Sequence, residues 1–216
     1  MRKIIGFIGQ KGAGKDTAAQ ALVERGWMRL AFADAVYQEV ADAFNVSVAF
    51  LQNRDTKETP LPELALSRCN QDVEYGTPLY SETIIAMEQG EGNRVQIMNK
   101  PRSPRRVLQT WGDEYRRKNF RDDYWTALVE DAIASHAQTN VIVTDVRYIN
   151  EAQIIQHLGG MLARIVRPEL DSQADAASLH VSEQQMLNYP TDYTFINDDD
   201  SGGIMRLKSC VTKSFC

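Results

Sequence analysis

Ile4-Ile5-Gly6-Phe7-Ile8-Gly9-Gln10-Lys11-Gly12-Ala13-Gly14-Lys15-Asp16-Thr17 decides the fold. Its first five residues form a short, β-rich apolar run, which predicts a buried strand. The glycines that follow let the backbone turn its N–H groups inward. Ala18 to Arg25 then reads as a helix that Gly26 closes with a left-handed turn. Strand, glycine-rich turn and helix in that order set the positive end of the helix dipole, together with Lys15, where a phosphate chain can lie. This is the form of a P-loop, a site for the phosphates of a nucleoside triphosphate. The pattern GxxxxGK[ST] is met up to the lysine, but Asp16 stands where a hydroxyl residue would touch Mg²⁺, and Thr17 follows.

Outward from the loop the chain keeps alternating strands with helices. Met28 to Ala33 reads as a second strand, and Asp34 to Phe44 as a helix with Val36, Val40 and Phe44 on one face and Asn45 as its stop. From Asn53 to Pro104 the pattern is broken by Pro60, Pro62, Pro78, Pro101 and Pro104, with a turn at Gly90 and Gly92, so this stretch reads as an irregular insertion. Ser103-Pro104 starts a helix running to about Asn119. Tyr124, Trp125, Leu128, Val129, Ala132 and Ile133 recur at helical spacing. Val141 to Asp145, Met161 to Val166 and Tyr193 to Asn197 are strand-like, whereas Asn150 to Leu158, ended by Gly159-Gly160, and Ile204 to Lys213 are helical. The expected fold is α/β: a P-loop NTPase core with a mostly parallel five-stranded sheet, helices on both faces and a helical acceptor-binding or lid insertion. Its expected organisation is one domain over 1–216, with the core at about 1–52 and 138–216 and the insertion at about 53–137.

Composition narrows the partners. The 216 residues are 43% hydrophobic and 25% charged, the mix of a soluble globular chain. A net charge of −5 argues against a nucleic-acid polymer as partner, because a phosphate backbone asks for a basic domain. No run approaches the roughly 20 apolar residues of a membrane span. Cys69, Cys210 and Cys216 form no CxxC pair, which suits free thiols in a reducing, cytoplasmic setting.

Asp145, ending an apolar strand, has the form of a Walker B acid that holds Mg²⁺, although strands also end in Asp as a turn or helix cap. The stretch 94–121 carries Arg94, Lys100, Arg102, Arg105, Arg106, Arg116, Arg117, Lys118 and Arg121 against Asp113 and Glu114. In an acidic chain this is a local positive field. Arg116, Arg117 and Lys118 can equally be a solvated helix face. Arg105 and Arg106 lie in a first helical turn, where cations oppose the dipole, and so point to an anionic ligand. Arg54, Lys57 and Arg147 are further cations for such a ligand. His180 and Glu183 fit capping of a following helix by Ser178 or Ser182, His136 and His157 fall on helix surfaces, and Trp111 and Trp125 read as core.

Several blocks together resemble the deoxynucleoside monophosphate kinases best known from bacteriophages. They are Gly14-Lys15-Asp16-Thr17, Phe32-Ala33-Asp34, Arg54-Asp55-Thr56-Lys57-Glu58, Pro104 through Gly112, Tyr124-Trp125, Thr144-Asp145-Val146-Arg147 with Asn150-Glu151, and Gly159-Gly160. The resemblance covers residues 1 to about 170, and in it Asp16 is the usual form. It implies Mg²⁺- and ATP-dependent phosphorylation of a deoxynucleoside 5′-monophosphate (dNMP), in the host cytoplasm if phage-encoded, and suggests a homodimer. Gly9, Lys11, Gly12, Ala13, Gly14, Lys15, Asp16 and Thr17 would line ATP. Asp34, Tyr37, Arg54, Lys57, Arg106, Gly112, Trp125, Asp145, Arg147 and Glu151 would line the acceptor. Lys15, Arg106 and Arg147 would act on the moving phosphoryl group, with Asp16 and Asp145 toward Mg²⁺. Tyr37 stands where the resemblance places a lysine. A P-loop alone would also suit a kinase of dephospho-coenzyme A or phosphomevalonate, or a nucleotide-switched binding protein, though no guanine-reading Asn-Lys-x-Asp element is present.

Overall fold

The structure is a computed structural model and describes residues 2–70, 87, 89–90, 92–118, 121–173, 186–198 and 200–216. The segment with His180 and Glu183, and Pro78, lie outside them. The chain separates into two compact units, one of Met1–Phe32 with Thr126–Cys216 and one of Ala33–Trp125.

The first unit holds a five-stranded, all-parallel sheet in the order β2-β3-β1-β4-β5. The strands are β1 (Ile4–Ile8), β2 (Met28–Leu30), β3 (Val141–Val143), β4 (Met161–Val166) and β5 (Tyr193–Ile196). Every residue of β1 and of β3 is buried, which explains their unbroken apolar runs: strands covered on both faces have no polar side. Alternation sends Ile5 and Phe7 to one face, where they join Ile142, Ile165 and Phe195 under α1 (Lys15–Val23) and the closing helix α9 (Gly203–Phe215). Phe215 anchors that face, tilted against Trp27 and edge-on to Tyr193 and Phe195. Truncating it to Ala would cost about 3–5 kcal/mol. Gly6 opens to the other face, toward Leu162, Val146 and Ile155, the last from α7 (Ile149–His157). The sheet is therefore covered on both sides.

The second unit begins in α2 (Phe32–Phe44) and continues through α3 (Val48–Gln52), two short 3₁₀ turns, α4 (Arg94–Asn99), α5 (Pro104–Gln109) and a π-helical stretch, Thr110–Lys118, to the start of α6 (Tyr124–Ser135). Leu51, Leu64, Ile97, Val107, Trp111 and Trp125 are among its buried residues. Asn93 and Gln96 cap α4 reciprocally, and the Ser103 hydroxyl accepts from the Arg106 amide at the start of α5. The remaining helix, α8 (Pro168–Gln173), follows β4 in the first unit.

Among the elements that depart from the expected bounds are the second strand and the helix from Ser103. The second strand stops at Leu30, and Phe32, expected as strand, opens α2 because its N–H is taken by Asp145. The helix from Ser103 changes after Gln109 to π-helical geometry, which apolar spacing does not announce. Asn45 stops α2 as expected, with φ of 51°.

Candidate active site

The loop between β1 and α1 is built to meet an anion. Gly14 precedes α1 in a left-handed conformation (φ 105°, ψ 14°), and no side chain caps the helix. Helix geometry gives the first-turn N–H groups no intrahelical partners, and a helix start of this kind suits an anion. A Cβ on Gly14 would come within 2.7 Å of the Asn197 amide nitrogen, so close packing as well as φ demands glycine. That same amide donates to the Ala13 carbonyl at 2.9 Å and ties the loop to the end of β5. Lys15 Nζ donates to the carbonyls of Gly9 (2.6 Å) and Gln10 (2.8 Å), spanning the loop from inside. Lys11, Gly12 and Asp16 are exposed, Thr17 is half-buried and Ala13 is buried.

A cleft in this unit is lined by Gly9, Gln10, Lys11, Lys15, Arg147 and Arg164, among others. Arg147 leaves the end of β3 on a fixed backbone: its amide donates to Glu151 Oε2 at 2.8 Å, and the Tyr148 amide to the same oxygen at 3.2 Å. Glu151 is 2% exposed, so it shapes the strand-to-helix turn that carries Arg147. Asp145 Oδ1 accepts from the Phe32 amide at 2.8 Å. Arg164, on β4, donates from Nη2 to the carbonyls of Met186 and Tyr189, both at 2.8 Å.

The second unit gathers the other expected residues on different supports. Arg54 and Arg106 are exposed, while Lys57, Tyr37 and Asp34 are half-buried. Trp125 is 1% exposed and its indole N–H donates to the Gly112 carbonyl at 3.0 Å, so it is a strut behind Gly112 with no open face. Arg105 pairs with Glu58. Glu39 receives the Trp111 indole N–H and Arg116 Nε, each at 2.9 Å, and the Tyr124 hydroxyl. The Arg116 guanidinium lies 4.5 Å from the Tyr115 ring centre and 4.6 Å from that of Tyr124. Arg116 is thus packed and paired, not a solvated face. Burial first, and then the Glu39 carboxylate, push the Tyr124 phenol up to about 12.

Among the described residues no group of three or more His, Cys, Asp or Glu side chains could hold a metal by itself. Mg²⁺ commonly takes one or two carboxylates, phosphate oxygens and water. Asp16 at the head of α1, the Thr17 hydroxyl beside it, and Asp145 supply hard oxygen donors of that type. The donor set fits.

The profile of the family described as deoxynucleotide monophosphate kinase matches residues 80–209. The chain belongs to the deoxynucleotide monophosphate kinase family. Within it, the chain is 26% identical over 183 residues to the deoxynucleoside-5′-monophosphate kinase of Escherichia phage T5, covering 72% of either chain. It is also 26% identical over 196 residues to a protein of Acanthamoeba polyphaga mimivirus provisionally named for the same activity, covering 85% of this chain and 81% of that one. Among solved structures it is similar to TT1252 of Thermus thermophilus, at a TM-score of 0.45 and 13% identity over 100% of this chain and 98% of that one. A sugar kinase from Janibacter sp. gives 0.42 and 13%, over 99% and 94%.

Two residues of this family member escaped the reading of its sequence. Arg164 interrupts the apolar strand Met161–Val166, and a charge in a buried strand was the available signal. Glu39, in mid-helix, gave none.

Proposed function

We propose that the chain transfers the γ-phosphoryl group of Mg²⁺-bound ATP to a deoxynucleoside 5′-monophosphate, giving the diphosphate and ADP. The observation that carries this reading is the cleft lined by Gly9, Gln10, Lys11, Lys15 and Arg147, at the loop that leads into a helix start no side chain caps. Gly9 through Thr17 bind the donor phosphates, with Lys15 on the outer ones. Mg²⁺, when bound, neutralises phosphate charge, and Asp16, Thr17 and Asp145 are the residues that would hold it.

An acceptor 5′-phosphate has its second pKa near about 6 and is largely a dianion at neutral pH. It needs no base to attack. What the reaction asks of the protein is alignment and charge neutralisation. Arg106 and Arg147 are assigned to the transferring group, and Arg54 and Asp34 to the acceptor. Glu151 and Trp125 act indirectly, as positioning residues for Arg147 and Gly112. We assign the reaction to the cytoplasm, that of the host if phage-encoded; no helix among the described residues is long and apolar enough to cross a membrane.

The test is ADP formation from ATP across a panel of deoxy- and ribonucleoside monophosphates, dephospho-coenzyme A and phosphomevalonate. Turnover confined to nucleoside monophosphates, strongest with deoxy forms, is expected. Turnover without any acceptor would support a nucleotide switch instead.

A further inference from the structure

Asn197 lies one residue past β5, against the phosphate loop. Its own N–H donates to the Val166 carbonyl at 2.8 Å, so the sheet fixes its backbone. The residue is 6% exposed, and its Nδ2 donates to the Ala13 carbonyl at 2.9 Å. Its Oδ1 is buried and has no hydrogen-bond partner among the described residues. A buried acceptor without a donor is costly, and an apolar side chain of the same shape would avoid that cost. What this side chain offers in return is the N–H that reaches Ala13.

That bond decides a direction. No described peptide bond is cis, and in a trans peptide the C=O and N–H point opposite ways. Holding the Ala13 carbonyl toward the end of β5 therefore turns the Gly14 N–H to the other side of the loop. A phosphate site needs this sense, with N–H groups inward and carbonyls outward. The carbonyls of Gly9 and Gln10 are also held, but by Lys15 Nζ, which must release them to reach the outer phosphates of a nucleotide. Asn197 has no such second duty. Carried by the sheet, it keeps its grip on Ala13 when the loop is loaded.

We propose that Asn197 is a positioning residue of the donor site, its amide fixing the Ala13 carbonyl so that the Gly14 N–H is aimed at the phosphates of ATP. The inference rests on the donor-site reading above.

The test is steady-state kinetics on the full chain, with ATP and dNMP varied separately, with inorganic triphosphate as an inhibitor against ATP, and with thermal melts. Asn197→Leu keeps the branched shape and removes the donor and the unpartnered acceptor together. It should raise the KM for ATP about 10- to 100-fold, the worth of a hydrogen bond to a charged group, and weaken inhibition by inorganic triphosphate by the same factor. The KM for dNMP and the melting temperature should hardly move. Asn197→Asp, which keeps the shape but sets an acceptor against the Ala13 carbonyl, should lose at least as much. A wild-type KM for ATP in either variant would overturn the inference. So would a weakened ATP with inorganic triphosphate unaffected, which would put Asn197 on the base, or a shift in dNMP KM and melting as large as that for ATP, which would make it a packing residue. A wild-type chain that neither phosphorylates dNMP nor is inhibited by inorganic triphosphate would overturn the underlying reading; an active, inhibitable wild type with an indifferent Asn197→Leu overturns this inference alone.

Discussion

The Phe32 amide donates to Oδ1 of Asp145 at 2.8 Å, so the carboxylate that follows β3 holds the first residue of α2. Two roles for Asp145 can then be separated. Asp145→Ala removes the acceptor of a partly buried N–H, and a stability loss of about 1–3 kcal/mol is expected in denaturant melts. Asp145→Asn keeps an oxygen for Phe32 and should melt near wild type, yet lose at least about tenfold in ADP formation if its charge serves Mg²⁺. Full activity in Asp145→Asn would reduce the residue to a helix cap.

Gly14→Ala puts a methyl against the Asn197 amide at a backbone angle that L residues rarely adopt. Strain of about 1–3 kcal/mol is expected, concentrated at the loop. Calorimetric titration should show ATP affinity largely lost. Wild-type affinity would mean that the loop geometry is not what binds phosphate.

The Tyr124 phenol titrates at about 12 in the folded chain against 10.0 for the free group. The folded state holds this proton more tightly, so the stabilisation is complete below pH 10.0 and fades as pH rises through about 12. Tyrosinate absorbance should show one late-titrating phenol, and Glu39→Gln should bring it earlier. Glu39→Ala, which removes the shared acceptor of Trp111, Arg116 and Tyr124, should cost about 1–3 kcal/mol. An unshifted titration in Glu39→Gln would remove Glu39 from the account of Tyr124.

Arg106 is exposed at the start of α5, whereas the Arg117 side chain is 9% exposed and 3.8 Å from Asp113. Arg106→Ala should lower kcat/KM at least about a hundredfold, as for loss of a charge-stabilising group in phosphoryl transfer. Arg117→Ala should act on stability. Equal losses of activity in both variants would show that Arg106 has no special part in transfer.

Much of this was legible in the residue order. The apolar runs of β1 and β3 announce strands buried on both faces, and the glycines from Gly9 to Gly14 announce the turn that leads from β1 into α1. Gly26, Asn45 and Gly159 mark turns that all take positive φ. What escaped depends on contacts distant in sequence. The Phe32 amide finds Asp145 across more than a hundred residues, and this overrides a local strand preference. Glu39 gives no signal in the sequence, and its part shows only where Trp111, Arg116 and Tyr124 converge on it. Trp125 reads as core from the residues and as acceptor-lining from the family resemblance; its ring is enclosed and its N–H spent on Gly112. The π-helical turn at Thr110 has no signature in apolar period, since one extra residue per turn is a local change.

The central claim, that Lys15 in this loop drives phosphoryl transfer from ATP to a dNMP, is tested most directly by ADP formation in Lys15→Ala. The account predicts at least a thousandfold loss of turnover, on the order expected when a main phosphate-binding cation is removed, with a melting curve that matches wild type. A folded Lys15→Ala chain that still converts dNMP and ATP at the wild-type rate would contradict it.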